Sequence, residues 1–263
     1  MNTFHFDRFI ALGDSFTEGM CDEVVHGHFR GWADRVADVL ATQEPSFTYL
    51  NLAVRGKKID QVLADQLPIA RKYITGQTTL LSFHAGANDV LRPRYEASVT
   101  IPKYQASVRE LAKTGCTLLL FTVAEKATGD GKTAQMWEER FSTFNKSVRE
   151  VAIEVGAVLV DWNEATFLAD RRFLATDRLH LNEEGHHRVA QGVLEELGYP
   201  FDKSWRTPLP PEEGEKRWTN LGADIRWFVT FALPWIWRRV RGKSSGDGRS
   251  PKYTEPVRWP ISR

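Results

Sequence analysis

Apolar residues fall into two patterns along the chain. Short runs rich in Leu, Val, Phe and Thr, at Phe9–Leu12, Phe47–Leu52, Thr79–Phe83, Thr117–Val123 and Val158–Asp161, predict strands buried on both faces. Between them apolar residues recur at helical spacing. Trp32-Ala33, Val36-Ala37 and Leu40 form one such face, and Val189-Ala190, Val193-Leu194 and Leu197 another. The longest stripe, Trp137, Phe141, Phe144, Val148, Val151 and Val155, steps by four and three residues. Strand runs separated by helices predict βαβ crossovers, hence an α/β fold with a five-stranded parallel sheet covered on both sides. In such sheets ligands sit beyond the carboxyl ends of the strands, so the chemistry is expected just after each run.

Composition changes near Pro200. Residues 200–263 carry a net charge of +6 against −5 for residues 1–199, and hold 6 of the 9 Trp and 8 of the 12 Pro. The shift predicts a compact domain over 1–199 and a Trp/Pro/Arg-rich extension over 200–263. The overall net charge of +1 excludes a polyelectrolyte binder, and no nucleic-acid partner is expected. Two distant cysteines, Cys21 and Cys116, exclude a disulfide scaffold and point to a reducing compartment. The apolar run at Phe9–Leu12 is too short for a secretory core and is soon followed by Asp14, so a cytoplasmic location is expected.

Four segments follow predicted strands. Gly13-Asp14-Ser15-Phe16-Thr17 puts a serine on a strand-to-helix turn, where its hydroxyl points out of the sheet; an ordinary N-cap reads equally well from these residues alone. After the second run comes Gly56, where a glycine lets the backbone approach a ligand, or simply turns. After the third comes Gly86-Ala87-Asn88-Asp89, whose asparagine amide could donate to a developing oxyanion, or merely close a turn. Beyond the fifth comes Asp177-Arg178-Leu179-His180. An Asp three residues before a His can accept its Nδ1–H and leave Nε2 to take a serine proton. His186 and His187 read as solvated or packing residues on the next helix, and His26 and His28 as loop residues able to line a pocket. None has the spacing of a zinc site, so no metal is expected.

Together, and in this chain order, these blocks resemble the SGNH (GDSL) hydrolase family over roughly residues 7–198. Phe16 stands where many relatives carry Leu, a change of apolar packing only. The resemblance implies a flavodoxin-like three-layer α/β/α sandwich that hydrolyses esters without a cofactor. It implies Ser15 as nucleophile, His180 as general base and then acid, and Asp177 as the residue orienting His180. The oxyanion hole would comprise the backbone N–H groups of Ser15 and Gly56 and the side-chain amide of Asn88. Asp14 is expected to hold the loop. The segments Cys21–Phe29 and Arg92–Tyr104 would flank the serine, and nothing in them demands a long acyl chain. A small-molecule ester, such as an acetyl group on a sugar or metabolite, is the leading substrate class, with lysophospholipid or acyl-thioester cleavage as the rival. A non-catalytic scaffold would be expected to have lost Ser15, Asn88 or His180.

In the extension, Ile225–Val240 is the one helix-like run, interrupted by Pro234. Trp227, Phe228, Phe231, Trp235 and Trp237 are expected to pack on the hydrolase domain, because such aromatic density calls for burial and no lipidation motif accompanies it. The competing readings are peripheral membrane contact through residues 225–243, with Arg238, Arg239, Arg241 and Lys243 at an anionic surface, and protein binding. Ser244–Gly248 reads as a flexible linker, and the last dozen residues as an extended strap or a loose end.

Overall fold

Every one of the five apolar runs forms a strand in the computed structural model, which describes residues 4–125, 131–164, 170–211, 221–241 and 244–261. In chain order the strands are β1 (Arg8–Gly13), the small hairpin β2 (Val24–Val25) and β3 (His28–Phe29), β4 (Thr48–Asn51), β5 (Thr79–His84), β6 (Thr117–Phe121), β7 (Val158–Val160) and β8 (Val257–Arg258). The main sheet runs β7-β6-β5-β1-β4-β8. Its first five strands are parallel, with Phe9 opposite Tyr49 on one side and Leu80 on the other.

The connecting helices are α1 (Ser15–Glu18), α2 (Gly31–Ala41), α3 (Ile59–Gln61), α4 (Leu67–Ala70), α5 (Ala87–Val90), α6 (Ala97–Ala112), α7 (Lys132–Val155) and α8 (Glu183–Leu197); a π-turn at Val62–Gln66 joins α3 to α4. Side-chain alternation along the strands builds two cores. Phe9 and Ala11 pack with Trp32 and Val36 of α2 and Val189 and Val193 of α8. Ile10 and Leu12 pack on the opposite face with Val108 of α6 and Phe144 and Val148 of α7. The period of two across a sheet covered on both sides makes the three layers.

The sheet has six strands rather than the five expected. The sixth, β8, comes from the extension and runs antiparallel along β4, pairing Tyr49 with Val257. An uncovered β4 would present unpaired backbone groups. Here Tyr253 N–H donates to the Asn51 carbonyl (3.1 Å) and Trp259 N–H to that of Phe47 (3.1 Å). The Trp259 ring is buried, and its indole N–H donates to Asp38 (2.7 Å). Lys252, also buried, donates to Asp34 (2.7 Å) and to the Arg30 carbonyl (3.0 Å). Ser244–Gly248, expected as a flexible linker, is instead seated: a Cβ on buried Gly246 would lie 2.0 Å from the Arg55 carbonyl oxygen.

Between these parts α9 (Leu221–Trp227), a π-turn at Phe228–Ala232 and α10 (Leu233–Val240) form one helical run. Trp227 packs, but the burial expected of its neighbours does not occur. Phe228, Phe231 and Trp237 are 48%, 37% and 55% exposed. Among the described residues no other helix or strand packs extensively along this run. The side chains of Trp235 and Arg239, and all of Lys243, lie outside the described residues. Among the described residues no helix is long and apolar enough to cross a membrane.

Candidate active site

β1 ends at Gly13, and the chain turns at once into α1, whose first residue is Ser15. Asp14 caps that helix, its Oδ1 accepting from Phe16 N–H (3.1 Å). Buried Asp14 also meets His84 Nδ1 (3.2 Å), at the end of β5, and accepts from the Asn88 amide (2.8 Å). The motif's aspartate thus ties the ends of β1 and β5 together, which is why it can hold Ser15 in place.

Ser15 Oγ lies 3.0 Å from His180 Nε2, across 165 residues of sequence. His180 Nδ1 lies 2.6 Å from Asp177 Oδ2. Asp177 Oδ1 accepts from the backbone N–H groups of Leu179 and His180 (both 3.0 Å), a local turn that explains the spacing of three. Burial pushes the Asp177 carboxyl up, but its hydrogen bond to His180, the charge of that ring and the two backbone donors outweigh this and hold it at about 2. A carboxylate only accepts, so Nδ1 carries the proton and Nε2 is the acceptor of the Ser15 hydroxyl. The arrangement can draw a proton from Ser15 and stabilise the imidazolium that results.

Gly56 and Asn88 are brought to the same end of the sheet. Glu18 of α1 clamps the turn after β4, accepting from Arg55 N–H (2.6 Å) and from the Arg55 guanidinium. The turn needs glycine at 56: φ is +75°, and a Cβ would meet the Ser244 hydroxyl at 2.1 Å. Asn88 reaches the Lys57 carbonyl (3.2 Å) as well as Asp14, joining the Gly56 turn to the Ser15 turn. Gly86 precedes it at φ +109°, with no room for a Cβ because the Phe144 ring stands 2.3 Å from that position.

One further expectation is corrected, and the remaining histidines are placed. Tyr104, expected beside the serine, is a core residue stacked on Phe83 and edge-on to Phe144. His26 and His28 sit at the exposed tip and rim of the β2–β3 hairpin. His186 is buried, its Nε2 facing the Met20 carbonyl (3.1 Å).

Several residues here carried no sequence signal. Glu18 and Arg55 are ordinary charged residues, and Gln66, which bridges Gly13 through both its amide atoms (2.8 Å each), is one glutamine among several. Cys21 places Sγ 3.9 Å from Asp177 Oδ2, and burial, then the Asp177 charge, pushes its thiol up to about 11. Among the described residues, Cys21, Asp177 and His180 are the one group whose ligand atoms converge, within 4.8 Å, as a metal would require. Asp177 and His180 are already bonded to each other, and the Cys21 thiol keeps its proton at neutral pH.

A sequence model of the GDSL-like Lipase/Acylhydrolase family matches residues 11–188, the stretch that contains Ser15, Gly56, Asn88, Asp177 and His180. The chain belongs to this family. The hydrolase is thus an enzyme acting on carboxylic esters. No curated protein sequence matches it. Its fold is similar to that of Axe2, an acetylxylan esterase from Geobacillus stearothermophilus, at 19% identity and a TM-score of 0.59, over 77% of this chain and 100% of that one. Catalytic mutants of Axe2 replace an aspartate and a histidine three residues apart. The hydrolase is also similar to LAE5, an alpha/beta hydrolase from the metagenome of Lake Arreo, Spain, at 21% identity and a TM-score of 0.58, over 73% of this chain and 95% of that one.

Proposed function

We propose that the hydrolase cleaves small acyl esters, such as acetyl groups on a sugar or metabolite, by acyl transfer through Ser15. The observation that carries this reading is the relay from Ser15 Oγ to His180 Nε2 (3.0 Å) and from His180 Nδ1 to Asp177 (2.6 Å). Ser15 Oγ attacks the ester carbonyl as its proton passes to Nε2. The tetrahedral oxyanion is met by the backbone N–H groups of Ser15 and Gly56 and by the Asn88 amide, which turns one N–H from its resting partners as the carbonyl arrives. Collapse breaks the ester C–O bond, and His180 returns the proton to the leaving alkoxide. Water then attacks acyl-Ser15 with His180 again as base, releasing the acid and free Ser15. The Asp177-x-x-His180 spacing equals that of the aspartate and histidine of the catalytic Axe2 mutants, and Axe2 acts on acetylated xylan, which supports a short acyl group.

Turnover of nitrophenyl esters from acetate to decanoate, wild type beside Ser15→Ala, tests both parts. The variant is expected to lose activity about 10⁴-fold, with the wild-type optimum at acetate. Undiminished turnover in Ser15→Ala would overturn the mechanism. An optimum at the long chains would replace the substrate class by a lipid ester.

A further inference from the structure

The helical run from Leu221 to Val240 exposes Ile225, Phe228, Val229, Phe231, Leu233 and Trp237, nearly half of the large exposed apolar side chains described for the whole chain. A contiguous apolar stretch of this kind marks a surface that another phase or partner covers. Charge indicates which. Residues 225–243 contain five basic residues, Arg226, Arg238, Arg239, Arg241 and Lys243, and no acidic one. Arg241 lays its guanidinium over the Trp237 ring (4.4 Å), keeping a cation beside an exposed aromatic. A second copy of this chain is a poor cover, because a two-fold contact would set one cationic segment against its twin. An anionic bilayer surface complements both properties, admitting the apolar side chains among the acyl chains and the arginines at the headgroups.

We infer that residues 225–241 dock the hydrolase on anionic phospholipid membranes, lying in the interface without crossing it. The run is fixed to the catalytic corner. The Trp227 indole N–H donates to the Asp177 carbonyl (2.9 Å), and the Arg178 guanidinium covers the Trp227 ring (5.1 Å). Docking therefore brings the Asp177–His180 loop to the membrane surface. The binding itself stands apart from the esterase reading and is measured without any turnover.

The test is flotation of the full chain with vesicles of phosphatidylcholine alone or mixed with phosphatidylglycerol, at about 0.1 M and about 0.5 M salt. Three proteins are compared: wild type, Phe228→Ser/Phe231→Ser/Trp237→Ser, and Arg238→Glu/Arg241→Glu. The wild type is expected on mixed vesicles at low salt, with at least about tenfold less on phosphatidylcholine and a marked loss at high salt. Both variants should lose at least about tenfold in partition while keeping wild-type melting and turnover of a soluble acetate ester. Wild type that does not float, or variants that float equally well, would overturn the inference. Concentration-dependent dimerisation abolished by the triple variant, with no flotation, would assign the face to a second copy instead.

Discussion

Two helical runs carry aromatic and aliphatic stripes of similar strength, and only one is buried. In α7, Phe141, Phe144, Val148 and Val151 are sealed in the core beneath β5 and β6, with Trp137 and Val155 packed at its margins. In the run from Leu221 to Val240, Trp227 finds the Asp177 carbonyl, whereas Phe228, Phe231 and Trp237 stay 48%, 37% and 55% exposed. The stripe of α7 meets an answering surface, for example the Tyr104 ring 5.0 Å from Phe144, whereas among the described residues no other element packs extensively along the tail helix. Periodicity states that a helix has a face to cover. What covers it depends on the other elements, and among the described residues no helix or strand covers the tail helix.

The largest expected effect comes from breaking the buried stripe. Phe144→Ala should cost about 4 kcal/mol, the transfer and cavity terms of a sealed aromatic. Because the ring fills the space against Gly86, the turn that carries Asn88 should loosen and ester turnover should fall with it. Urea unfolding gives the stability; a cost below about 1 kcal/mol would remove the contrast between the two helices.

Next comes the part of the extension that does pack. Lys252→Met should cost about 3 kcal/mol, because Asp34 is left buried without its cation. This loss has a distinctive pH dependence. Burial raises the Asp34 carboxyl from 3.8 to about 6 even with Lys252 and Tyr49 pulling it down. A carboxyl whose folded value lies above its unfolded one supports the fold below about pH 4 and loses that support as the pH rises through about 6. Removing Lys252 moves the folded value higher still, so the variant should be hurt more at pH 8 than at pH 5. Unfolding curves at the two pH values decide it, and an equal loss at both would show that Asp34 is not the group involved.

How much of this was legible in the chain follows the same division. The five parallel strands and the helices α2, α7 and α8 were readable because each buries a periodic face within the domain. The convergence of Ser15, Asp177 and His180 was readable because the serine follows a strand and because a carboxylate three residues before a histidine has a local geometric reason. The sixth strand was not. Val257–Arg258 is two residues long, and its pairing with β4 depends on Lys252, Tyr253 and Trp259 finding partners more than 200 residues earlier. Glu18, Arg55 and Gln66 were hidden for a related reason: their roles consist of hydrogen bonds between separate loops, which leave no local pattern. In the tail helix aromatic density predicts burial for every ring, yet Trp227 packs while Phe228, Phe231 and Trp237 stay exposed.

A smaller effect is expected where the tail helix meets the Asp177–His180 loop. Trp227→Phe keeps the ring under Arg178 but removes the indole donor to the Asp177 carbonyl. The loss should be about 1 kcal/mol in stability, the net worth of one hydrogen bond, with kcat on a soluble ester lowered a few-fold and KM unchanged. Unchanged kcat would show that the contact fastens the helix without steadying Asp177.

The smallest expected effect is also the most discriminating. Phe228→Ser should change stability by less than about 0.5 kcal/mol, against about 4 for Phe144→Ala, because a half-exposed ring with no neighbouring element loses little on truncation. Ile153, 82% exposed on α7, supplies the control. Ile153→Ser should be equally neutral in the fold, and neutral in vesicle flotation too, since it stands alone on a polar face. Phe228→Ser should weaken flotation. Two exposed apolar residues that are alike in unfolding and differ at a membrane would separate a stray surface side chain from a surface waiting for a partner. A Phe228→Ser variant that melts several degrees lower would place this helix among the packed elements and close the comparison with α7.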